Sequence, residues 1–274
     1  MHAQSDTHVK LPLPKRALIG MVHVGAIPGT PYAQRTIREL ATAAAAEAHI
    51  LAKAGFDAII IENMHDRPYV GPPHGPEVTA TLTRATLEAR AAAPDIPCGV
   101  QVLSFGHAEA LAIALAAEAH FIRVENFVFS HVADEGLLPE AAAGKLLRLR
   151  RNLGAGHIAL MCDIKKKHAS HALTADLSIA DAARGAGFFG ADGLIVSGAH
   201  TGQATSTDDV AEAKIASNLP VWVGSGATPS QLPSLFAHAD AVIVGTYIKH
   251  GGVWSNPVDP VRAAEMVGAR GAKN

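Results

Sequence analysis

Aromatic residues are scarce in this sequence, at 5% of its 274 positions, and cysteine is almost absent, with two. The two, Cys98 and Cys162, lie far apart in separate apolar runs. They read as small core residues of a protein kept in a reducing compartment, not as a disulfide framework. Neither sign of charge dominates: 23 Lys and Arg stand against 25 Asp and Glu, a formal net charge of −2. No basic stripe marks a nucleic-acid partner, and no basic amphipathic segment marks a membrane surface. No run approaches the ~18 uninterrupted apolar residues of a membrane span. The first residues, MHAQSDTHVKLPLPKR, contain no apolar stretch of the kind a secretory signal needs. The expectation is a cytoplasmic chain. Nearly half the residues are hydrophobic, most of them small. That suits strands buried on both faces with helices packed closely over them.

Short apolar runs alternate with helical patterns along the whole chain. Strands are expected over residues 17–24, 57–63, 98–103, 121–126, 158–165, 193–198, 220–226 and 240–246. Helices are expected over 36–54, 78–93, 107–119, 139–152, 178–189, 207–217, 229–238 and 260–269. Gly55, Gly154, Gly190 and Pro220 mark helix exits, and Ser178 followed by Asp181 reads as a capped start. Strand-helix alternation implies parallel strands joined by right-handed crossovers. Two folds take that pattern, a closed (β/α)8 barrel and a doubly wound open sheet. The count of eight, with no GxGxxG after the first strand, favours the barrel and predicts no nucleotide cofactor. No composition shift divides the chain, so one barrel domain is expected over 17–274, preceded by a loose segment, 1–16.

Alternate residues of a barrel strand point inward, and chemistry gathers at the strands' C-terminal ends. The polar residues there share one parity: His23, Glu62, Gln101, Arg123, Glu125, Asp163, Lys165 and Ser197. The other parity is apolar: Val22, Ile61, Val102, Val124, Ile164 and Val196. Buried charges need partners, a metal or a ligand. Each residue alone has a structural reading, such as Arg123 neutralising a neighbouring acid; their convergence on one mouth points to function. His23, Glu62, Glu125, Asp163 and Lys165 are the catalytic candidates. Two chemistries fit. Glu62, Glu125 and Asp163 are candidate ligands for a divalent metal (Mg, Mn or Zn). Alternatively, Lys165, taken as the inward lysine of the run Lys165-Lys166-Lys167, could form a Schiff base. The loop that follows, to residue 177, is a candidate lid or phosphate clamp.

Strand seven ends in Gly224-Ser225-Gly226 and strand eight in Gly245-Thr246. Barrels acting on phosphorylated molecules commonly hold the phosphate in these two loops, on backbone N–H groups that glycine lets approach closely. These five residues are the phosphate-binding candidates, with Lys249 as added charge. Asn63 and Asp66 after strand two, Arg123, Ser197 and Thr201 are candidates to hold the rest of the substrate.

The segments GMVHVGAIPGTP (20–31), IENMHDRPY (61–69), FIRVE (121–125), DIKKKHASHALT (163–174), VSGAHTG (196–202), VWVGSGAT (221–228) and AVIVGTYIKHGGVWSNPVDPVR (241–262) resemble the BtpA family. The resemblance spans about residues 17 to 267. It implies a barrel similar to the ribulose-phosphate-binding barrels. The family's eponymous member is described as a photosystem I biogenesis protein, and other relatives sit among sugar-utilisation genes. Many relatives carry Asn and then a Leu-Arg-Asn-Asp-type segment after strand three; here the chain reads Gln101-Val102-Leu103-Ser104-Phe105-Gly106-His107. That departure implies a different substrate or altered chemistry. Three functions stay open at this point. One is an enzyme performing carbon-acid chemistry on a small phosphorylated sugar, as an isomerase, epimerase or aldolase-type lyase. The second is a metal-dependent hydrolase or glycosyl-bond lyase. The third is a non-catalytic assembly factor. The alanine-rich outer helices permit a homo-oligomer without marking an interface.

Overall fold

A computed structural model describes residues 8–198, 205–224 and 226–272. Thr201 and Ser225 lie outside the described residues. Eight parallel strands form a closed barrel: β1 (Ala17–His23), β2 (Ala58–Glu62), β3 (Cys98–Gln101), β4 (Phe121–Val124), β5 (Ala159–Ile164), β6 (Gly193–Ser197), β7 (Val221–Gly224) and β8 (Ala241–Val244). They pair in chain order, and β8 closes on β1 in the register Ala17↔Ala241 to Gly20↔Val244. The helices are α1 (Ile37–Ala54), α2 (Pro76–Ala92), α3 (His107–Ala116), α4 (Ala143–Asn152), α5 (Ile179–Phe188), α6 (Thr207–Ala216), α7 (Leu232–Leu235) and α8 (Pro260–Ala269). No described helix is long and apolar enough to cross a membrane.

The two strand parities build two cores. Outward residues such as Val22, Ile61, Val124, Ile164 and Val196 pack beneath the helices. Inward residues of the lower barrel, among them Ile19, Ile60, Phe121, Met161, Ile195 and Trp222, form a second apolar cluster. Phe121 meets Trp222 edge-on there, at 5.3 Å between centroids. Gly99 makes room for the Phe121 ring: a Cβ on it would lie 2.2 Å from Cε2. With the lower barrel filled, the next inward layer on these strands faces the open end, and that layer is polar. At the closed end Val9, Leu11 and Leu13 pack against the inner cluster, and the Val9 N–H donates to Asp192 at 2.8 Å. These contacts lie within the segment expected to precede the barrel.

Local chemistry sets the helix ends. Thr36 and Glu39 form a capping box at the start of α1, and Ser178 with Asp181 forms one at α5. Gly55 ends α1 in the left-handed region at φ 98°. The helix expected over 229–238 is instead a 3₁₀ turn, Pro229–Gln231, and one α-turn, Leu232–Leu235. Pro229 and Pro233 each lack an N–H donor, which suits helix starts and stops propagation between them. A second difference is a three-stranded antiparallel flap at the open end. Its strands are His131–Ala133, Gly136–Leu138 and Ala169–Ser170, from the loops after β4 and β5. The helix expected from 139 accordingly starts at Ala143.

Candidate functional site at the barrel mouth

A cavity of about 320 Å³ opens at the C-terminal ends of the strands. Its wall begins with three side chains in one inward layer. The strand register sets His23 level with Glu62, and Glu62 level with Gln101. His23 is enclosed, its side chain 6% exposed. Nδ1 lies 3.0 Å from the Trp254 carbonyl oxygen. A carbonyl only accepts, so Nδ1 carries the hydrogen and Nε2 presents its lone pair. Burial, and then the charge of Lys249, pushes the imidazole well below its ordinary value, so it is neutral. Nε2 faces Glu62 Oε2 at 3.6 Å. That is too long for a hydrogen bond, and a neutral imidazole makes it no ion pair.

The two mouth glutamates are driven apart. Burial raises Glu62 to about 7, against the lowering pull of Arg123 and Lys167. Burial also raises Glu125, but Lys166 and the Phe105 N–H outweigh it and hold this carboxyl below its ordinary value. Lys166 Nζ donates to Glu125 Oε1 at 3.2 Å, and the Phe105 N–H donates to Oε2 at 2.9 Å. Lys166 also lies over the Phe105 ring, 4.5 Å from its centre. Glu125 is thus a fixed anion, and Glu62 is a carboxyl that exchanges its proton near neutrality.

Arg123 and Asp163 form a buried two-pronged pair. Nε donates to Oδ2 at 2.7 Å and Nη2 to Oδ1 at 2.8 Å. Gly224, the last residue of β7, makes space for this guanidinium: a Cβ there would stand 3.4 Å from Nη2 and 2.8 Å from Ile195 Cγ2. Gly224 is therefore a packing glycine beneath the mouth. Gly226, Gly245 and Thr246 do line the cavity. A Cβ on Gly245 would come within 3.6 Å of His23 Nε2. Lys249 turns away: its wholly buried ammonium donates to Glu47 Oε2 at 2.7 Å.

Strand alternation does not carry past the end of β5 to Lys165. β5 ends at Ile164, and Lys165 has a left-handed φ of 48°. That breaks the alternation, and Lys165 Nζ donates to the Leu177 carbonyl, outside the mouth cavity. Lys166 and Lys167 line the cavity instead. Burial, and then Arg123, lowers the Lys167 ammonium to about 8, with Glu62, Asp163 and Glu125 opposing. Ser197 Oγ accepts the Lys167 backbone N–H at 3.1 Å, so Ser197 positions this segment.

Asn63 and Asp66 are spent on bracing loops. Asn63 donates to Asp66 Oδ2 and to the Leu103 carbonyl and accepts from the Leu103 N–H, at 2.7–2.9 Å. Asp66 Oδ1 accepts the Ile27 N–H at 2.8 Å. Together they tie the first three loops of the mouth. Among the described residues no three His, Cys, Asp or Glu side chains gather to hold a metal ion. Asp163 is taken by Arg123, and Glu125 by Lys166.

Residues outside the named site candidates also line the cavity. Arg67, Tyr69 and Trp254 reach the mouth from loops, and Asp134 and Glu135 from the flap turn. The only signal was their place in polar, Gly- or Pro-rich segments next to strand ends. Gln101 stands on the same wall, and its buried Oε1 has no partner among the described residues. Both cysteines are buried and free, and burial raises the Cys98 thiol to about 12.

The BtpA family model matches residues 14–271. An uncharacterized mitochondrial protein of Caenorhabditis elegans is 41% identical over 254 residues, 91% of each chain. The photosystem I biogenesis protein BtpA of Synechocystis is 33% identical over 258 residues, 92% of this chain and 87% of its own. Among solved structures, 3-hexulose-6-phosphate synthase superposes with a TM-score of 0.58 at 16% identity, covering 92% of this chain and 99% of its own. N-(5'-phosphoribosyl)anthranilate isomerase of Pyrococcus furiosus gives 0.56 at 13% identity, covering 93% and 98%. At such identities these structures speak to the fold.

Proposed function

The chain belongs to the BtpA family, and from that premise we propose that it is an enzyme of small phosphorylated sugars, working by proton transfer at carbon. Isomerase, epimerase and aldolase-type lyase reactions all share that step. The observation that carries the reading is Glu62: a carboxyl raised to about 7, beside a neutral histidine, in a mouth closed on one side by the glycine-bearing ends of β7 and β8. The barrel neighbours named for hexulose 6-phosphate and phosphoribosyl anthranilate support a phosphorylated substrate.

In this reading the phosphate lies against Gly226, Gly245 and Thr246 and orients the reacting carbons. The Glu62 carboxylate takes the proton from the carbon beside a carbonyl. The C–H electron pair becomes a C=C bond, and the carbonyl pair moves onto oxygen. Lys167, charged in most molecules at pH 7, stabilises that oxyanion, taking the role expected of Lys165. His23 Nε2 accepts from a substrate hydroxyl, and Gln101 Oε1 offers a second acceptor. Glu62 then returns the proton to the same or the neighbouring carbon. Arg123 and Asp163 set the electrostatics beneath without taking the proton, because each is already paired.

The test is thermal melting with inorganic phosphate and a panel of sugar phosphates, with magnesium, manganese, zinc or a chelator. A ligand at a hundred times its Kd adds about 2.7 kcal/mol. For a chain of this size that raises Tm by roughly 5–11 °C. A shift for a sugar phosphate that survives chelation supports the reading. A shift that needs a metal moves it to metal-dependent hydrolysis or lysis. No shift with any phosphate overturns it and leaves the assembly role named for the Synechocystis relative.

A further inference from the structure

A second cavity, of about 370 Å³, lies beside the mouth. It runs between the loop after β1, helix α1 and the loop after β8, and His23 and Arg67 line both cavities. Arg67 is an exposed residue whose guanidinium lies against two rings. Its guanidinium lies 4.7 Å from the Trp254 ring centre and 5.9 Å from that of Tyr32. No carboxylate among the described residues pairs with it. An arginine stacked by its faces keeps its N–H donors in the plane, where they can meet a carboxylate or phosphate. Contact with the rings restricts the guanidinium, so less rotamer freedom is lost on binding.

The rest of the side cavity is electrostatically matched to an anion. Among the described residues its basic side chains include Arg35 and Arg67, and its one acid is Glu47. Glu47 is already engaged, by Lys249 at 2.7 Å and by the Val258 N–H at 3.1 Å. His65 meets the Trp254 ring at a tilt of 45°, 5.1 Å between centroids. Burial lowers this imidazole, followed by the charges of Lys249, Arg67 and Arg35, so the wall is cationic without it.

We propose that the substrate extends past His23 into this side cavity and carries a second anionic group, a carboxylate or a phosphate, that Arg67 receives. The inference rests on the mouth being a sugar-phosphate site, and it narrows the substrate to doubly anionic metabolites such as sugar bisphosphates or phosphorylated sugar acids.

The experiment measures binding by calorimetry to the wild-type chain and to Arg67→Ala and Arg67→Lys. The probes are ribulose 5-phosphate against ribulose 1,5-bisphosphate, and fructose 6-phosphate against fructose 1,6-bisphosphate and 6-phosphogluconate. Wild type should bind at least one probe with two anionic groups more tightly than its counterpart with one. Arg67→Ala should weaken that probe by about 10- to 100-fold, the range for charge-assisted hydrogen bonds, and leave the probe with one anionic group unchanged. Arg67→Lys, which keeps the charge but not the planar fork, should fall between. Equal losses on both probes, or none, would overturn the assignment of Arg67. Wild type that binds single phosphates with no gain for double anions would overturn this inference alone. Wild type that binds no probe would overturn it together with the phosphate reading of the mouth.

Discussion

Replacing Glu62 with glutamine should make the protein more stable above neutral pH while removing its activity. Glu62 is 5% exposed, and its carboxyl is raised from about 4.5 to about 7 by burial. The folded chain thus holds the proton more tightly than the unfolded chain. The stabilisation from this proton is complete below about pH 4.5 and is lost as pH rises to about 7; above that the deficit is constant. A rise of roughly 2.5 in pKa corresponds to about 3 kcal/mol at about 1.4 per tenfold. Glutamine has the same shape and no charge to desolvate. Glu62→Gln should match wild type at pH 4.5 and exceed it by about 3 kcal/mol at pH 8, a Tm higher by roughly 6–12 °C. Urea melts of both proteins at the two pH values give the difference directly. Turnover should fall by ~10²–10⁴, the usual contribution of a positioned base. A variant no more stable than wild type at pH 8, with the same pH dependence, would show that Glu62 is not held in an unfavourable charged state. It would remove the reason for assigning it the proton transfer.

Asp163→Asn leaves the Arg123 guanidinium buried without its counter-charge and should cost ~3–5 kcal/mol, read as a lowered urea midpoint. Gly224→Ala places a Cβ 2.8 Å from Ile195 Cγ2 and 3.4 Å from Arg123 Nη2. Overpacking of that kind should cost ~1–3 kcal/mol, with a loss of turnover from the displaced guanidinium. Lys167→Met should lower kcat by ~10²–10³ through loss of oxyanion stabilisation. Lys165→Met should leave kcat intact, because its ammonium is bound to the Leu177 carbonyl outside the mouth; steady-state assays of the two variants separate them.

Much of the fold could be read because parallel strands buried on both faces leave a period-two record. His23, Glu62 and Gln101 alternate with Val22, Ile61 and Val102, and the two sets face opposite sides of the barrel wall. The same rule failed one residue past the end of β5. Left-handed Lys165 ends the alternation, and nothing in a run of three lysines reveals the turn. Asn63 and Asp66 resemble ligand residues in sequence, since short polar side chains look alike whether they bind substrate or brace loops; only the partners Leu103 and Ile27, 40 and 39 residues away, decide between the two. The flap strands are two and three residues long, too short to show a period. Arg67 and Trp254 meet only because the second and eighth loops are neighbours across β1 in the closed barrel.

The central claim is proton transfer by Glu62 at a carbon of a bound sugar phosphate. It is tested most directly by incubating the protein in D₂O with each sugar phosphate that raises Tm and following the proton signal beside the carbonyl by NMR. That proton should exchange for deuterium, faster as pH rises through about 7, and not in Glu62→Gln. A sugar phosphate that binds but keeps its proton, or exchange in Glu62→Gln at the wild-type rate, would contradict it.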